Sequence, residues 1–241
     1  MFLPVIPYED VRNLPLPDLA MKLLASLGSG TVNPNGTFRG FEQAMGDDPQ
    51  PDGRALLARL GDAWAWLESH GLLGPETKST TSVWQRVTES GHELINDPNA
   101  ITKVWAADRL AGSLDPLLSS ARSNFALGDY ETACFAALKA VEVEVRRVAG
   151  LPNELIGVNL MRKAFNTKDG VLTDSAAEGG EKEATANLFA GAIGAYKNPA
   201  SHRTVQFDEP MEAAEVIQLA DLLLRIVHRA EKRLAHEAEG R

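Results

Sequence analysis

The chain has 241 residues and a mass of 26.0 kDa, enough for one large domain or two small ones. Its 44% hydrophobic and 24% charged residues argue against wholesale disorder, and the recurring alanine and leucine lean helical. With 33 acidic and 24 basic residues the net charge is -9, which argues against broad coating of nucleic acid but leaves room for a small basic site.

Cys134 is the one cysteine, so no intramolecular disulfide framework exists and a reducing cytoplasm is expected. Met1 to Pro7 lacks a basic region and carries Pro4 and Pro7, a poor signal peptide. Leu219 to Val227 is apolar but interrupted by Asp221 and Arg225, and it is too short to span a membrane. The expectation is a soluble, cytoplasmic protein with no membrane partner.

Charge and punctuation divide the chain. Residues 1–100 hold 7 basic and 13 acidic side chains, residues 101–241 hold 17 and 20, and most glycine and proline lie in the first half. We expect a winged-helix-like α+β domain over 1–98 and a helical bundle over 99–241, a mainly α protein overall. Asp18 can cap a helix carrying Leu19, Leu23, Leu24 and Leu27 at helical spacing. Residues 28–53 read mostly as loop, with a short helix near Phe41. Arg54 to Ser69 forms a second helix with Leu56, Leu57, Leu60, Trp64 and Leu67 in one stripe, and Gly71 is placed for a left-handed cap. Residues 83–88 then alternate as a strand does.

Beyond residue 100 the pattern is helical. Asp129 opens a helix to Ala149 with Ala133, Cys134, Ala137, Leu138, Val141, Val145 and Val148 on one side, stopped by Gly150 and Pro152. A short helix follows over 157–166, residues 169–180 read as a mobile loop, and Glu181 to Tyr196 is a helix rich in small residues. The last helix, 209–236, is apolar around more than half its circumference between Met211 and Val227. It therefore belongs at a bundle centre or a subunit interface.

Common catalytic signatures are absent. Gly28-Ser-Gly30-Thr31 and Gly179-Gly180-Glu-Lys182 both fail the spacing of a phosphate loop, and the histidines show no zinc-ligand spacing. No cofactor or metal is expected. His70 reads as satisfying a helix C-terminus, His228 and His236 as solvated, and Cys134 as a small core residue.

One segment stands apart, Tyr196-Lys-Asn-Pro-Ala-Ser-His-Arg203. Pro199 disfavours helical geometry at Asn198, so the preceding helix should end near Lys197, and the turn can fold His202 back toward Lys197. A cation, an amide and an imidazole at one helix break suit a phosphodiester: the cation stabilises phosphoryl oxygens and the histidine moves protons. The bland reading is a turn in which Lys197 caps one helix and Ser201 opens the next. On the residues alone, both readings stand.

Lys197-Asn-Pro-Ala-Ser-His202 resembles the Arg-x4-6-His motif of the HEPN superfamily. The wider stretch from about 110 to 232 is similar to a conserved bacterial family called Ymh. The residues that carry this are Phe135-Ala-Ala-Leu-Lys-Ala-Val-Glu142, Asn159-Leu-Met-Arg-Lys-Ala-Phe165, Asn187-Leu-Phe-Ala-Gly-Ala-Ile-Gly194 and the Lys-Asn-Pro-x-Ser-His-Arg run. The resemblance implies an all-α bundle, often a homodimer with two motifs facing each other, whose active members are metal-independent endoribonucleases of toxin, abortive-infection and antiviral defence systems. On that reading His202 activates the ribose 2′-OH, Lys197 holds the scissile phosphate and Asn198 orients or donates to it. RNA scission then leaves a 2′,3′-cyclic phosphate. Ser201, Arg203 and Glu142 are candidate supporting or RNA-binding residues, and Glu142 can also pair with Lys139 and Arg146 on its own helix face.

Lys197 stands where the superfamily has arginine, which keeps the charge and loses the bidentate fork. A catalytically silent dimerisation module is therefore the first rival reading. A DNA-binding regulator acting through the N-terminal domain is the second. The candidate recognition helix bears Arg54 and Arg59 but also Asp62 and Glu68, which favours a protein partner for that domain.

Overall fold

The computed structural model describes residues 6–28, 30–77, 83–198 and 209–239. The fold is mainly α with one small sheet, as the sequence predicts. The chain divides into two compact units, Met1–Val104 and Trp105–Arg241.

The first unit contains α1 (Tyr8–Asn13), α2 (Leu16–Leu27), β1 (Thr31–Val32), α3 (Pro34–Asp47) and α4 (Gly53–Ser69). These are followed by β2 (Leu73–Pro75), β3 (Gln85–Val87) and α5 (Glu89–Leu94). Leu19, Leu23, Leu24 and Leu27 of α2 pack with Leu56, Leu60, Trp64 and Leu67 of α4 in one core, the two stripes the heptad-like spacing predicts. Three short antiparallel strands lie in the order β1-β3-β2, with Thr31 opposite Arg86 and Leu73 opposite Val87. Trp64 Nε1 donates to Gln85 Oε1 at 3.1 Å, tying the sheet to α4. Gly71 has a φ of 68°, the left-handed cap expected of it. Gly91 is required for another reason: a β-carbon there would lie 2.5 Å from the Leu72 carbonyl oxygen, so α5 approaches β2 backbone to backbone.

Two expectations for this unit are corrected. Asp18 does not cap α2; Pro15 occupies the N-cap position without a side-chain hydrogen bond, Pro17 lies in the first turn, and Asp18 lies inside that turn, where a carboxylate suits the dipole. Residues 34–47 form a full helix rather than a loop with a short helix. The Asn33 side chain accepts from Gly36 N, Pro34 starts the helix, and Thr37 and Phe41 are buried. Polar and glycine-rich composition hid a helix whose buried stripe is only one residue wide per turn.

Helix α6 (Ala100–Arg109) crosses the boundary, and the second unit continues through a 3-10 turn (Pro116–Leu118), α7 (Ser119–Ala126), α8 (Tyr130–Ala149) and α9 (Gly157–Ala164). It then runs through α10 (Gly179–Ala192), a π turn (Ile193–Lys197) and α11 (Pro210–Glu239). Helix α8 is central. Asp129 caps it by accepting from Thr132 N, Gly150 ends it at a φ of 63°, and its buried stripe includes Ala133, Cys134, Ala137, Leu138, Val141 and Val145. Val148, expected on that stripe, is only half-buried.

The apolar arc of α11 is consumed within the chain. Ala213, Ala214, Ile217, Ala220, Leu223, Leu224 and Val227 are fully buried in the core that α8 shares. Of the two places the sequence offered for this helix, it occupies the bundle centre. Of the small residues here, Ala190 and Ala192 of α10 are buried in the same core and a β-carbon at Gly194 in the following turn would come 3.3 Å from Val158, whereas Gly191 is open.

The segment 169–180, expected to be mobile, is pinned. Leu172 is 2% exposed, Thr173 Oγ1 donates to Asn166 O at 2.9 Å, and Gly170 sits so close that a β-carbon would lie 2.3 Å from Asn166 N. Its glycine and serine content reads as loop, but one buried leucine anchors it.

Candidate functional site

The site forms where α8, the turn before α9 and the π turn after α10 meet. A π turn adds one residue to a helical turn and so rotates the side chains that follow it, a feature frequent at functional positions. Here it spans Ile193–Lys197, and Asn198 remains in the right-handed helical region at φ -62° and ψ -42°. Asn198 therefore keeps helical geometry ahead of Pro199, against the expectation that the helix ends near Lys197; what stands there instead is the widened turn over Ile193–Lys197.

Lys197 Nζ lies 3.2 Å from Glu142 Oε2 and 5.8 Å from the Phe135 ring centroid. Phe135 and Glu142 are seven residues apart on α8, hence on one face. Glu142 accepts from Arg146 Nη2 at 3.0 Å through its other oxygen and from the backbone N–H of Gly157 at 3.0 Å. Arg146 is fixed in turn by donating from Nε and Nη2 to Leu155 O at 3.3 and 3.2 Å. Asn198 lies over Gly157, where a β-carbon would be 3.4 Å from Asn198 Oδ1. Gly157 itself has a φ of 60°, the left-handed region that admits glycine readily.

The Glu142 and Lys197 side chains are 8% and 14% exposed. Burial pushes the Glu142 carboxyl upward, but hydrogen bonds from Lys197, Gly157 N–H and Arg146, with the Lys197 charge, outweigh it and hold the group below its ordinary value. Glu142 is thus a buried, ionised carboxylate rather than half of a solvated ion pair. Lys139, expected as a partner, makes no ion pair among the described residues; Arg146 does.

Lys197, Asn198 and Glu142 are brought together. Ser201, His202 and Arg203 lie outside the described residues. Sequence reasoning anticipated Arg146 as a partner of Glu142 but missed Gly157 and the anchoring of Arg146 on Leu155 O, because backbone donors and acceptors leave no trace in composition.

The remaining candidates follow the bland readings with one exception. His70 Nδ1 lies 2.7 Å from Trp66 O at the end of α4, as expected for a helix-terminal histidine. Cys134 is fully buried, and desolvation pushes its thiol up to about 12. His228 is not solvated as expected: Nδ1 is 3.3 Å from Asp115 Oδ2 and Nε2 is 3.2 Å from Glu144 Oε1. Among the described residues no cluster of His, Cys, Asp and Glu is placed to hold a metal ion, and no helix is long and apolar enough to cross a membrane.

The family model described as a protein of unknown function (Hypoth_ymh) matches residues 114–227. The match supports the Ymh-type family. The Ymh-type stretch takes in α8, the π turn and the segment through Arg203, and it leaves out the first unit. No curated protein and no solved structure matches the chain.

Proposed function

We propose that the protein is a HEPN-like, metal-independent endoribonuclease of a toxin, abortive-infection or phage-defence system. It cuts RNA by 2′-OH attack and leaves a 2′,3′-cyclic phosphate. The observation that carries this reading is the convergence of Lys197 and Gly157 N–H on the buried Glu142, with Asn198 over Gly157, on a π turn four residues before Ser201 and five before His202. Lys197 contacts the phosphoryl oxygens, Asn198 orients the phosphate, and His202 takes the 2′-OH proton as general base. Glu142 positions Lys197 through its ion pair, and Arg146 and Gly157 N–H hold Glu142. Ser201 and Arg203 support RNA binding. The working form is a homodimer with two motifs facing one cleft.

A second reading, the catalytically silent dimerisation module, has its own support. The ammonium of Lys197 is already answered by a buried carboxylate, so a phosphate must compete with Glu142 for it.

For the first unit, the order α2-β1-α3-α4-β2-β3 with a sheet ordered β1-β3-β2 supports a winged-helix-like module. The DNA-binding alternative is weakened at α4. Arg59 spends its guanidinium on Val11 O and Leu14 O, both at 2.6 Å, which leaves Arg54 as that helix's outward arginine. A protein partner suits the module better.

The test is RNA incubated with wild type, His202→Ala, Lys197→Ala and Lys197→Arg, with product ends analysed. Loss of the general base lowers the rate on the order of 10²–10⁴-fold with the circular dichroism unchanged. Lys197→Ala cripples cleavage, Lys197→Arg keeps or raises it, cleavage persists in EDTA, and DNA resists. Equal cleavage by wild type and His202→Ala refutes the assignment.

A further inference from the structure

Phe135 and Glu142 are the two residues of α8 that meet the Lys197 ammonium, and Lys139 stands between them on the same helix. It follows the first by four positions and precedes the second by three, so its β-carbon lies about 5–6 Å from each of theirs. Its other neighbours on the helix surface are Ala136 and Val143, and Val143 is 50% exposed. Lys139 thus occupies the solvent edge of the face whose inner edge holds Lys197. Its side chain is exposed and makes no ion pair among the described residues.

The three cations of this face are in different states. Lys197 and Arg146 are each 14% exposed and share the buried Glu142, and Arg146 is also held on Leu155 O. A phosphate that reaches either must compete with that carboxylate. Lys139 meets no such competition, because both oxygens of Glu142 are engaged by Arg146, Lys197 and Gly157 N–H. The other carboxylates of α8 and of the elements beside it stand apart. Glu144 leaves α8 on another side, bound to Arg147 and His228. Glu131 is eight residues back, roughly 12 Å along the helix. Glu154 precedes Leu155, which Arg146 holds, and Arg146 is seven residues or roughly 10 Å beyond Lys139. The π turn brings only Lys197, and α9 brings Arg162 and Lys163, the latter paired with Asp169.

We propose that Lys139 is the RNA-capturing cation of this site, holding the backbone phosphate next to the scissile one while Lys197 holds the scissile phosphate itself. The inference rests on the nuclease reading for its ligand, an RNA strand, and assigns capture to a residue separate from the chemistry. Two ammonium groups side by side repel, so each is better placed on its own phosphate. An exposed lysine contributes through counterion release and a charge-assisted hydrogen bond. That contribution is equal in the ground and transition states, so its loss falls on KM rather than kcat.

The probe is a short single-stranded RNA, 2′-O-methylated throughout and therefore uncleavable by 2′-OH attack, titrated with the full chain by fluorescence anisotropy. Lys139→Ala should raise Kd about tenfold at low salt. It should also flatten the slope of log Kd against log salt by about 0.7, the share of one phosphate contact on a single strand. Lys139→Arg should restore both, and Lys232→Ala, an exposed lysine of α11, controls for overall charge. With unmodified RNA the Lys139→Ala defect should appear in KM. Binding through Lys139 without any cleavage of unmodified RNA would fell the nuclease reading and support the capture site. Wild-type Kd and salt slope in Lys139→Ala would overturn the capture site and leave the roles of Lys197 and His202 untouched. An equal loss in Lys232→Ala, a defect confined to kcat, or no binding of the probe by wild type at low salt would each overturn it as well.

Discussion

Glu142 and Glu144 leave α8 two residues apart and therefore from different sides of the helix. Both are 6% exposed, and each pairs with an arginine on its own helix. Their other partners differ. Glu144 meets Arg147 through both oxygens, at 2.8 and 2.6 Å, and His228 at 3.2 Å; Arg147 continues to Glu231 at 2.7 Å. These groups sit on α8 and α11, two long regular helices, so the cluster braces one against the other. Glu142 meets a lysine on a π turn and the N–H of a left-handed glycine. A buried carboxylate joined to regular helices crosslinks them, whereas one joined to irregular backbone fixes where a particular cation stands.

Removing Glu142 should break this comparison most visibly. Glu142→Ala leaves Lys197, Arg146 and Gly157 N–H without their shared acceptor, and losing one partner of a buried pair costs about 3–5 kcal/mol. Urea denaturation measures the loss. Glu142→Leu combined with Lys197→Met should recover most of the stability and none of the RNA cleavage, which separates folding from chemistry. Acid neutralises the same carboxylate. Both glutamates are held below the ordinary value of 4.5, so the stability they contribute is complete above that pH and is lost as pH falls through the lower folded-state values. Glu142→Gln, unable to titrate, should show a flatter loss of unfolding midpoint below pH 4.5 than wild type. An equally steep fall places the acid sensitivity elsewhere.

Gly157→Ala should come next. The φ of 60° places an alanine in the left-handed region at about 1–2 kcal/mol. Its β-carbon would also press Asn198 from 3.4 Å. Chemical denaturation reads the first effect and RNA cleavage the second. The Glu144 cluster contains no such residue, so no glycine substitution should perturb it in the same way.

The helices of the bundle were legible because their apolar residues recur every three or four positions and their ends carry Asp129 and Gly150. Helix α3 was missed because Gly36, Gly40 and Gly46 lower its propensity while capping and the burial of Phe41 override it. At the site, Lys197 and Asn198 stood out by residue type and Glu142 by its place on a helix face. Its burial was not legible, since that depends on Gly157, fifteen residues away, and on a π turn that no periodicity announces. His228 failed for a similar reason: neighbours in sequence are charged, but its actual partners, Asp115 and Glu144, come from other elements.

The smallest effect should come from Glu231→Gln, at the outer edge of the bracing cluster. Arg147 is 54% exposed and Glu231 41%, so water competes for the pair and its contribution falls within about 0.5 kcal/mol. Arg147 keeps both contacts to Glu144 in that variant, and the amide can still accept one hydrogen bond. A double-mutant cycle with Glu144→Gln sharpens the result. If the two changes add, the buried Glu144–Arg147 contact braces α8 to α11 chiefly through His228, and Glu231 is decoration on a solvated rim. Coupling above about 1 kcal/mol would make Arg147 the hub of one continuous network. The distinction between a bracing cluster and a positioning cluster would then rest on Glu142 alone.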